Sequence, residues 1–260
     1  MNIKVIFLAL ALSLAAATLA GCGSSTKVAE SKSADTVKKV EQVSDNDLDS
    51  YFDSYASGDP DKMAAAQSLA SPGSLAEAYL IHQGALANSY LDGGSGSTED
   101  KSTKTAEGYR LCDPNSAEKD SCTAYTDFKS VDGKLSSFTV NGLDLTNRLA
   151  IGKGAAVKAG SLATVKFISS YQAASNYLFA VLEVKSADKK LILGTYQATY
   201  RAPGGRQSTA TGADGPAELG ANSTANISIV FEKAKPGGEL TLTIAVEDYN
   251  LDKSVTLKIG

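Results

Sequence analysis

From Gly160 onward, apolar residues fall at every second position in one short run after another, and a period of two marks strands, not helices. The pattern is cleanest in Leu240-Thr241-Leu242-Thr243-Ile244 and Ile227-Ser228-Ile229-Val230-Phe231, which should each place one face in a core and the other in water. Seven runs follow at short intervals: Ala163–Ser169, Tyr177–Lys185, Leu191–Tyr200, Gln207–Thr211, Ala225–Glu232, Leu240–Glu247 and Ser254–Ile259. Their separators are turn-rich, as in Ala202-Pro203-Gly204-Gly205 and Lys235-Pro236-Gly237-Gly238. An antiparallel β-sandwich is the economical way to bury so many half-apolar strands.

Upstream the period changes. Ser44 is a plausible N-cap with Asp47 three residues on, and Leu48, Tyr51, Phe52 and Tyr55 fall on one helical stripe. Gly58-Asp59-Pro60 closes that helix and opens another with Met63, Ala66, Leu69 and Ala70 on its buried side. After Ser71-Pro72, a third helix of about 18 residues carries Leu75, Tyr79, His82, Leu86 and Tyr90 and ends at Gly93-Gly94-Ser95-Gly96-Ser97. That glycine-serine run follows a helix, where a phosphate-binding loop needs a strand. Strands are expected at Tyr109–Asp113, Ala124–Val131 and Leu135–Val140, with Asp132-Gly133 as a hairpin turn.

The chain opens with Lys4, an apolar run from Val5 to Ala17, and small residues ending Leu19-Ala20-Gly21-Cys22, the order of a secretory leader. The run is too short for a bilayer-crossing helix, which needs roughly 20 residues. Leu19-Ala20-Gly21-Cys22 resembles the lipobox of bacterial lipoproteins. The resemblance implies removal of residues 1–21, a thioether to diacylglycerol on the Cys22 sulfur and often a further acyl chain on the new amine. Two or three chains hold a protein on a membrane nearly permanently, where one does not. An ordinary secreted protein with a chance cysteine after its leader is the competing reading. Residues 22–43 are rich in Ser, Lys, Glu, Thr and Asp and read as a flexible tether, with a root-mean-square span of roughly 25 Å and a stretched reach of roughly 75 Å.

The chain carries 25 basic and 29 acidic side chains, a balance that argues against nucleic acid as a partner. Once Cys22 is set aside, Cys112 and Cys122 remain, and in an exported chain an isolated pair closing a polar turn reads as a disulfide. A zinc site would need two ligands beyond this pair, and the sequence has one His and no other free Cys.

Two family resemblances complete the layout. Residues 44–150, three helices and then Phe128-Lys129-Ser130-Val131-Asp132-Gly133-Lys134-Leu135 leading into Phe138-Thr139-Val140-Asn141-Gly142, look like the NTF2-like (cystatin-type) fold. Residues 160–259, through Tyr177–Val184, Leu191–Tyr200 and Ile227–Phe231, are similar to the immunoglobulin-like domains of bacterial surface lipoproteins, without the cysteine pair and core Trp of antibody domains. The expected architecture is thus an α+β domain at 44–152, three helices and an antiparallel sheet, followed by an all-β immunoglobulin-like sandwich at 153–260, each with its own core.

No catalytic group stands out. No Gly-x-Ser-x-Gly elbow surrounds a serine, and His82, spaced helically from Tyr79 and Leu86, is more a packed or edge residue than a base. Asp45, Asp47 and Asp49 alternate as in a calcium loop, but Ser50 and Ala56 stand where that loop needs Gly and Glu; they read as helix-start charges. Tyr51, Phe52, Tyr55, Tyr79 and Tyr90 either fill a core or line a pocket between helices and sheet. The expectation is a non-enzymatic, lipid-anchored protein on the extracytoplasmic face of the cell membrane, without cofactor or metal, that binds a protein or cell-wall partner. The alternative is a carrier or sensor for a small apolar ligand in the α+β part.

Overall fold

The computed structural model describes residues 41–96, 99–116, 121–246 and 251–260. The leader, Cys22 and all but the last three residues of the expected tether lie outside them. Those three are docked: Ser130 Oγ donates to the Glu41 carbonyl at 2.8 Å, and Val43 packs against the first apolar core.

Local chemistry sets the helix starts. Helix α1 (Asp45–Ala56) is capped by Ser44, whose Oγ accepts from Asp47 N, and α2 (Pro60–Ala66) by Asp59, with Pro60 supplying the first turn. Helix α3 (Leu75–Asp92) is capped by Ser74, and Glu77 reaches back to accept from Gly73 N. Leu48, Tyr51 and Phe52 of α1 are buried on the expected stripe.

A five-stranded antiparallel meander follows: β1 (Lys101–Lys104), β2 (Tyr109–Cys112), β3 (Cys122–Val131), β4 (Lys134–Val140) and β5 (Leu143–Asp144), paired in that order. A bulge in β3, with Asp127 at φ 56°, shifts its register against β4. Between this sheet and α1 lies an aromatic core: Phe52 stacks on Tyr109 at 4.5 Å and meets Tyr125 at 5.1 Å and Phe138 at 5.8 Å. Cys112 and Cys122 are directly opposite on β2 and β3 and form the expected disulfide.

The remaining strands are β6 (Leu149–Ile151), β7 (Val157–Ala159), β8 (Ala163–Gln172), β9 (Tyr177–Ser186), β10 (Leu191–Leu193), β11 (Thr199–Arg201), β12 (Gln207–Thr209), β13 (Gly212–Asp214), β14 (Glu218–Leu219), β15 (Thr224–Glu232), β16 (Gly238–Val246) and β17 (Asp252–Ile259). They form two antiparallel sheets. One runs β13-β15-β9-β8-β6, with β7 also on β8; the other runs β12-β11-β16-β10-β14, with β17 on the far side of β16. Val165, Leu182, Ile227 and Ile229 of the first share one core with Leu193, Leu240, Leu242 and Ile244 of the second. The outer face of the second sheet meets water, where Thr241 Oγ1 and Thr256 Oγ1 lie 2.9 Å apart.

Three expectations are corrected. The Leu191–Tyr200 run is not one strand, because residues 194–198 leave the ladder through a 3₁₀ turn, and both halves pair with β16. The second face of Ile227–Phe231 is not in water: Ser228 is fully buried there, on the side where α3 packs against β15. Finally, helices and sheets do not divide cleanly at 152/153. Strand β6, before that boundary, pairs with β8 after it, and Leu145 between β5 and β6 is fully buried. Helix α3 contacts β4 on one side and β6, β8, β9 and β15 on the other, so one helix serves both halves. Its end is fastened by Asp92 Oδ2, which accepts from Asn226 N at 2.7 Å.

Gly152 sits where the chain passes closest to β8; a Cβ there would lie 1.8 Å from the Phe167 carbonyl oxygen. Gly152→Ala therefore has to displace backbone, and a loss of at least ~2 kcal/mol in urea unfolding is expected; an unchanged midpoint would contradict this approach. The Cys112–Cys122 link closes a short loop, worth roughly 3 kcal/mol by chain entropy. The double variant Cys112→Ser, Cys122→Ser should lose that much, and a non-reducing peptide map of the native protein should show the linked pair and no free thiol at either position.

Candidate functional site

The aromatic residues singled out in the helices divide between two roles. Tyr51 and Phe52 fill the core, and the Tyr51 hydroxyl donates to the Ala76 carbonyl at 2.7 Å. Tyr55, Tyr79 and Tyr90 instead face a cleft of about 230 Å³ where α1, α3, the first sheet and the β8–β9 hairpin meet. On α3, Tyr79, His82, Leu86 and Tyr90 recur at helical spacing and form one wall. Tyr125 of β3, Val140 of β4 and Tyr171 of β8 form the others.

The tyrosine hydroxyls converge. Tyr125 donates to the Tyr55 oxygen at 3.1 Å, and the Tyr79 and Tyr125 oxygens lie 3.3 Å apart. The rings meet edge to face, Tyr79 with Tyr55 at 5.6 Å and with Tyr171 at 5.5 Å. The Tyr171 hydroxyl has no hydrogen-bond partner among the described residues, although only 7% of the residue is exposed.

Burial decides the electrostatics. It pushes Tyr79 and Tyr125 well above the ordinary tyrosine value, raises Tyr55 and Tyr90, and takes Tyr171 to about 12. It also depresses His82 to about 3. At neutral pH every lining side chain is therefore uncharged.

His82 is packed and not at an edge: it is 1% exposed, and its Nδ1 lies 2.9 Å from Ser169 Oγ on β8. A serine beside an imidazole invites a nucleophilic reading, but Ser169 is 0% exposed. The contact joins α3 to the second half of the chain. Asp49, from the acidic triplet, accepts from the Tyr109 hydroxyl and from Lys104 Nζ at 3.2 Å, and these bonds hold its carboxyl below the usual range. Asp45 lies 3.6 Å from the same ammonium. Asp45 and Asp49 thus tie α1 to β1 and β2, Asp47 meets Ser44 at the helix cap, and no group of metal-ligating side chains occurs among the described residues.

A larger groove of about 770 Å³ runs along the opposite part of α3, lined by Leu75, Ala78 and Ile81, by Ile151 and Val157, and by the Thr256–Lys258 stretch of β17. Glu77 on its wall is already engaged with Gly73 N. No helix among the described residues is long and apolar enough to cross a membrane. Cys22, the expected lipid attachment point, lies outside the described residues, whereas Cys112 and Cys122 face each other on β2 and β3 of the first sheet. Sequence reasoning missed Tyr125, Ser169 and Tyr171. Tyr125 and Ser169 fall in expected strands while Tyr171 lies beyond the end of the expected Ala163–Ser169 run, and nothing local says that one helix meets all three.

Because the folded-state value of His82 lies below its ordinary 6.5, the unfolded chain binds the proton first. Its contribution is fully present above about pH 6.5 and is lost as pH falls toward 3. Urea unfolding should show a loss of about 2 kcal/mol between pH 6.5 and pH 5, before most carboxylates titrate. In His82→Gln that slope should flatten; an equal slope in both proteins would mean that His82 is not held neutral.

Comparison with known proteins returns no relative: the chain matches no family model, no curated protein and no solved structure.

Proposed function

We propose that this protein is a non-enzymatic interaction module, held by lipid on Cys22 at the extracytoplasmic face of a cell membrane, and that it takes a protein partner as an added strand along β17. The supporting observation is the setting of β17. It runs eight residues, among the described residues its one ladder is with β16, β7 and β8 approach it without pairing, and the 770 Å³ groove opens beside it. An open edge presents unpaired backbone donors and acceptors to an extended segment, and neighbouring pockets take that segment's alternate side chains. Ile81, Ile151 and Val157 offer such a pocket, with Lys258 at the rim.

The leader-like start, the Leu19-Ala20-Gly21-Cys22 motif and the polar stretch after it support the anchored reading, and the disulfide suits an oxidising compartment. Two antiparallel sheets over one core support an immunoglobulin-like sandwich as the part that carries the edge, and three helices before a meander support the NTF2-like resemblance. No functional residue is carried over from either family. The alternative of a carrier holding its ligand deep between helices and first sheet meets an interior filled by Tyr51, Phe52 and Phe138.

Two measurements test this reading. Cys22→Ala should leave an unprocessed precursor or a protein shed into the medium; a processed, membrane-bound form would defeat the anchor. A photo-crosslinking residue in place of Thr256 should give one dominant adduct on intact cells, whereas the same residue in place of exposed Arg206 should not. Val157→Asp, at a position 40% exposed, should remove that adduct without unfolding the protein. Equal adducts from both positions, or an adduct insensitive to Val157→Asp, would overturn strand addition at β17.

A further inference from the structure

We propose that the tyrosine cleft is a binding site for a small uncharged molecule bearing one hydrogen-bond-accepting oxygen on a ring or short aliphatic body. This goes beyond the edge-strand reading and does not depend on it. At about 230 Å³, the cleft is smaller than the roughly 300 Å³ at which sites for drug-sized ligands begin, so its occupant is a small fragment.

Charge selects against ions. No lining side chain is ionised at neutral pH, so a charged ligand would lose its hydration without a counter-charge on the wall. The charges whose fields reach the cleft are of both signs, Asp100 at Tyr55, Asp214 at Tyr90 and Arg148 at Tyr171, and the Arg148 guanidinium is held by the Gln172 and Ala173 carbonyls. They are not among the lining residues and would not pair a charged ligand.

Hydrogen-bond accounting then fixes the polarity of the ligand. Tyr125 gives its only hydroxyl hydrogen to Tyr55, so in the Tyr79–Tyr125 contact the donor is Tyr79. Both hydrogens run toward Tyr55, whose hydroxyl is also engaged with that of Tyr79, so these three phenols are bonded among themselves. The Tyr171 hydroxyl has no protein partner among the described residues and is not sealed from solvent, and Tyr171 lines the cleft, so its hydrogen is available to a ligand there. One phenolic donor free of protein partners at the cleft, that of Tyr171, matches an oxygen acceptor on the ligand. Leu86, Val140 and Phe179, with the tyrosine rings, supply the apolar walls that would hold the body of the molecule.

Ligand-detected NMR titration of the full chain tests this with benzamide and p-cresol as neutral probes and benzoate and benzyltrimethylammonium as charged ones. The neutral probes should bind saturably with Kd roughly millimolar, as expected for fragments of this size, and the charged ones at least about tenfold more weakly. Tyr171→Phe keeps the ring and removes the hydroxyl, and should weaken benzamide about five- to tenfold. Ala174→Trp, on the exposed rim, should abolish binding while leaving the thermal midpoint in place. Absence of saturable binding by both neutral probes, equal binding by the charged ones, or an Ala174→Trp variant that binds like the parent would each overturn the proposal.

Discussion

The structure depends on the burial of α3 from two sides. A surface helix needs one apolar stripe, but a helix enclosed by two sheets must offer packing surface all round, and α3 does so with small residues between its large ones. Ala76, Leu80, Ala85, Ala87 and Ser89 are buried alongside Tyr79 and His82. Small side chains allow close approach: a Cβ on Gly93, at the end of α3, would lie 3.0 Å from the Gly215 backbone. With α3 in place, the meander on one side and the β8–β9–β15 sheet on the other are held in a fixed relation, and the chain does not part cleanly near Gly152.

The same enclosure creates the tyrosine cleft and sets its chemistry. Phenols and an imidazole crowded between α3 and two sheets lose hydration, which raises the tyrosines, lowers His82 and keeps the lining neutral. Hydroxyls that cannot reach water turn to one another, and a directional chain toward Tyr55 results. The cleft is a by-product of where α1, α3, the first sheet and the β8–β9 hairpin fail to close completely, yet its neutral phenolic lining makes it chemically specific.

The groove beside β17 has a different origin. Sheets in a sandwich bury one face each but leave edges, and β17 lies at such an edge next to the point where the chain crosses from β5 to β6 and β7. Side-chain alternation does not distinguish an edge strand from a central one, because pleating orients side chains while neighbours decide the backbone pairing. The groove and the cleft thus lie on either side of α3 and call on different physics, open backbone in one and desolvated hydroxyls in the other.

Much of this was legible in the sequence. Ser44, Asp59-Pro60 and the spacing of Leu48, Tyr51, Phe52 and Tyr55 determine helices locally, since capping and a 3.6-residue period act over a few residues. The long strands β3, β4, β8, β9, β15, β16 and β17 follow from alternation, and the Cys112–Cys122 pair from a short spacing in an exported chain. The short strands β1, β5, β6, β7, β13 and β14 did not, because two to four residues carry no readable period; their neighbours make them strands. Nor could sequence separate the tyrosines that fill the core from those that line a cleft, or join His82 to Ser169 across 87 positions. Those pairings are decided by which sheet each face of α3 meets, a property of packing between distant segments that no local pattern encodes.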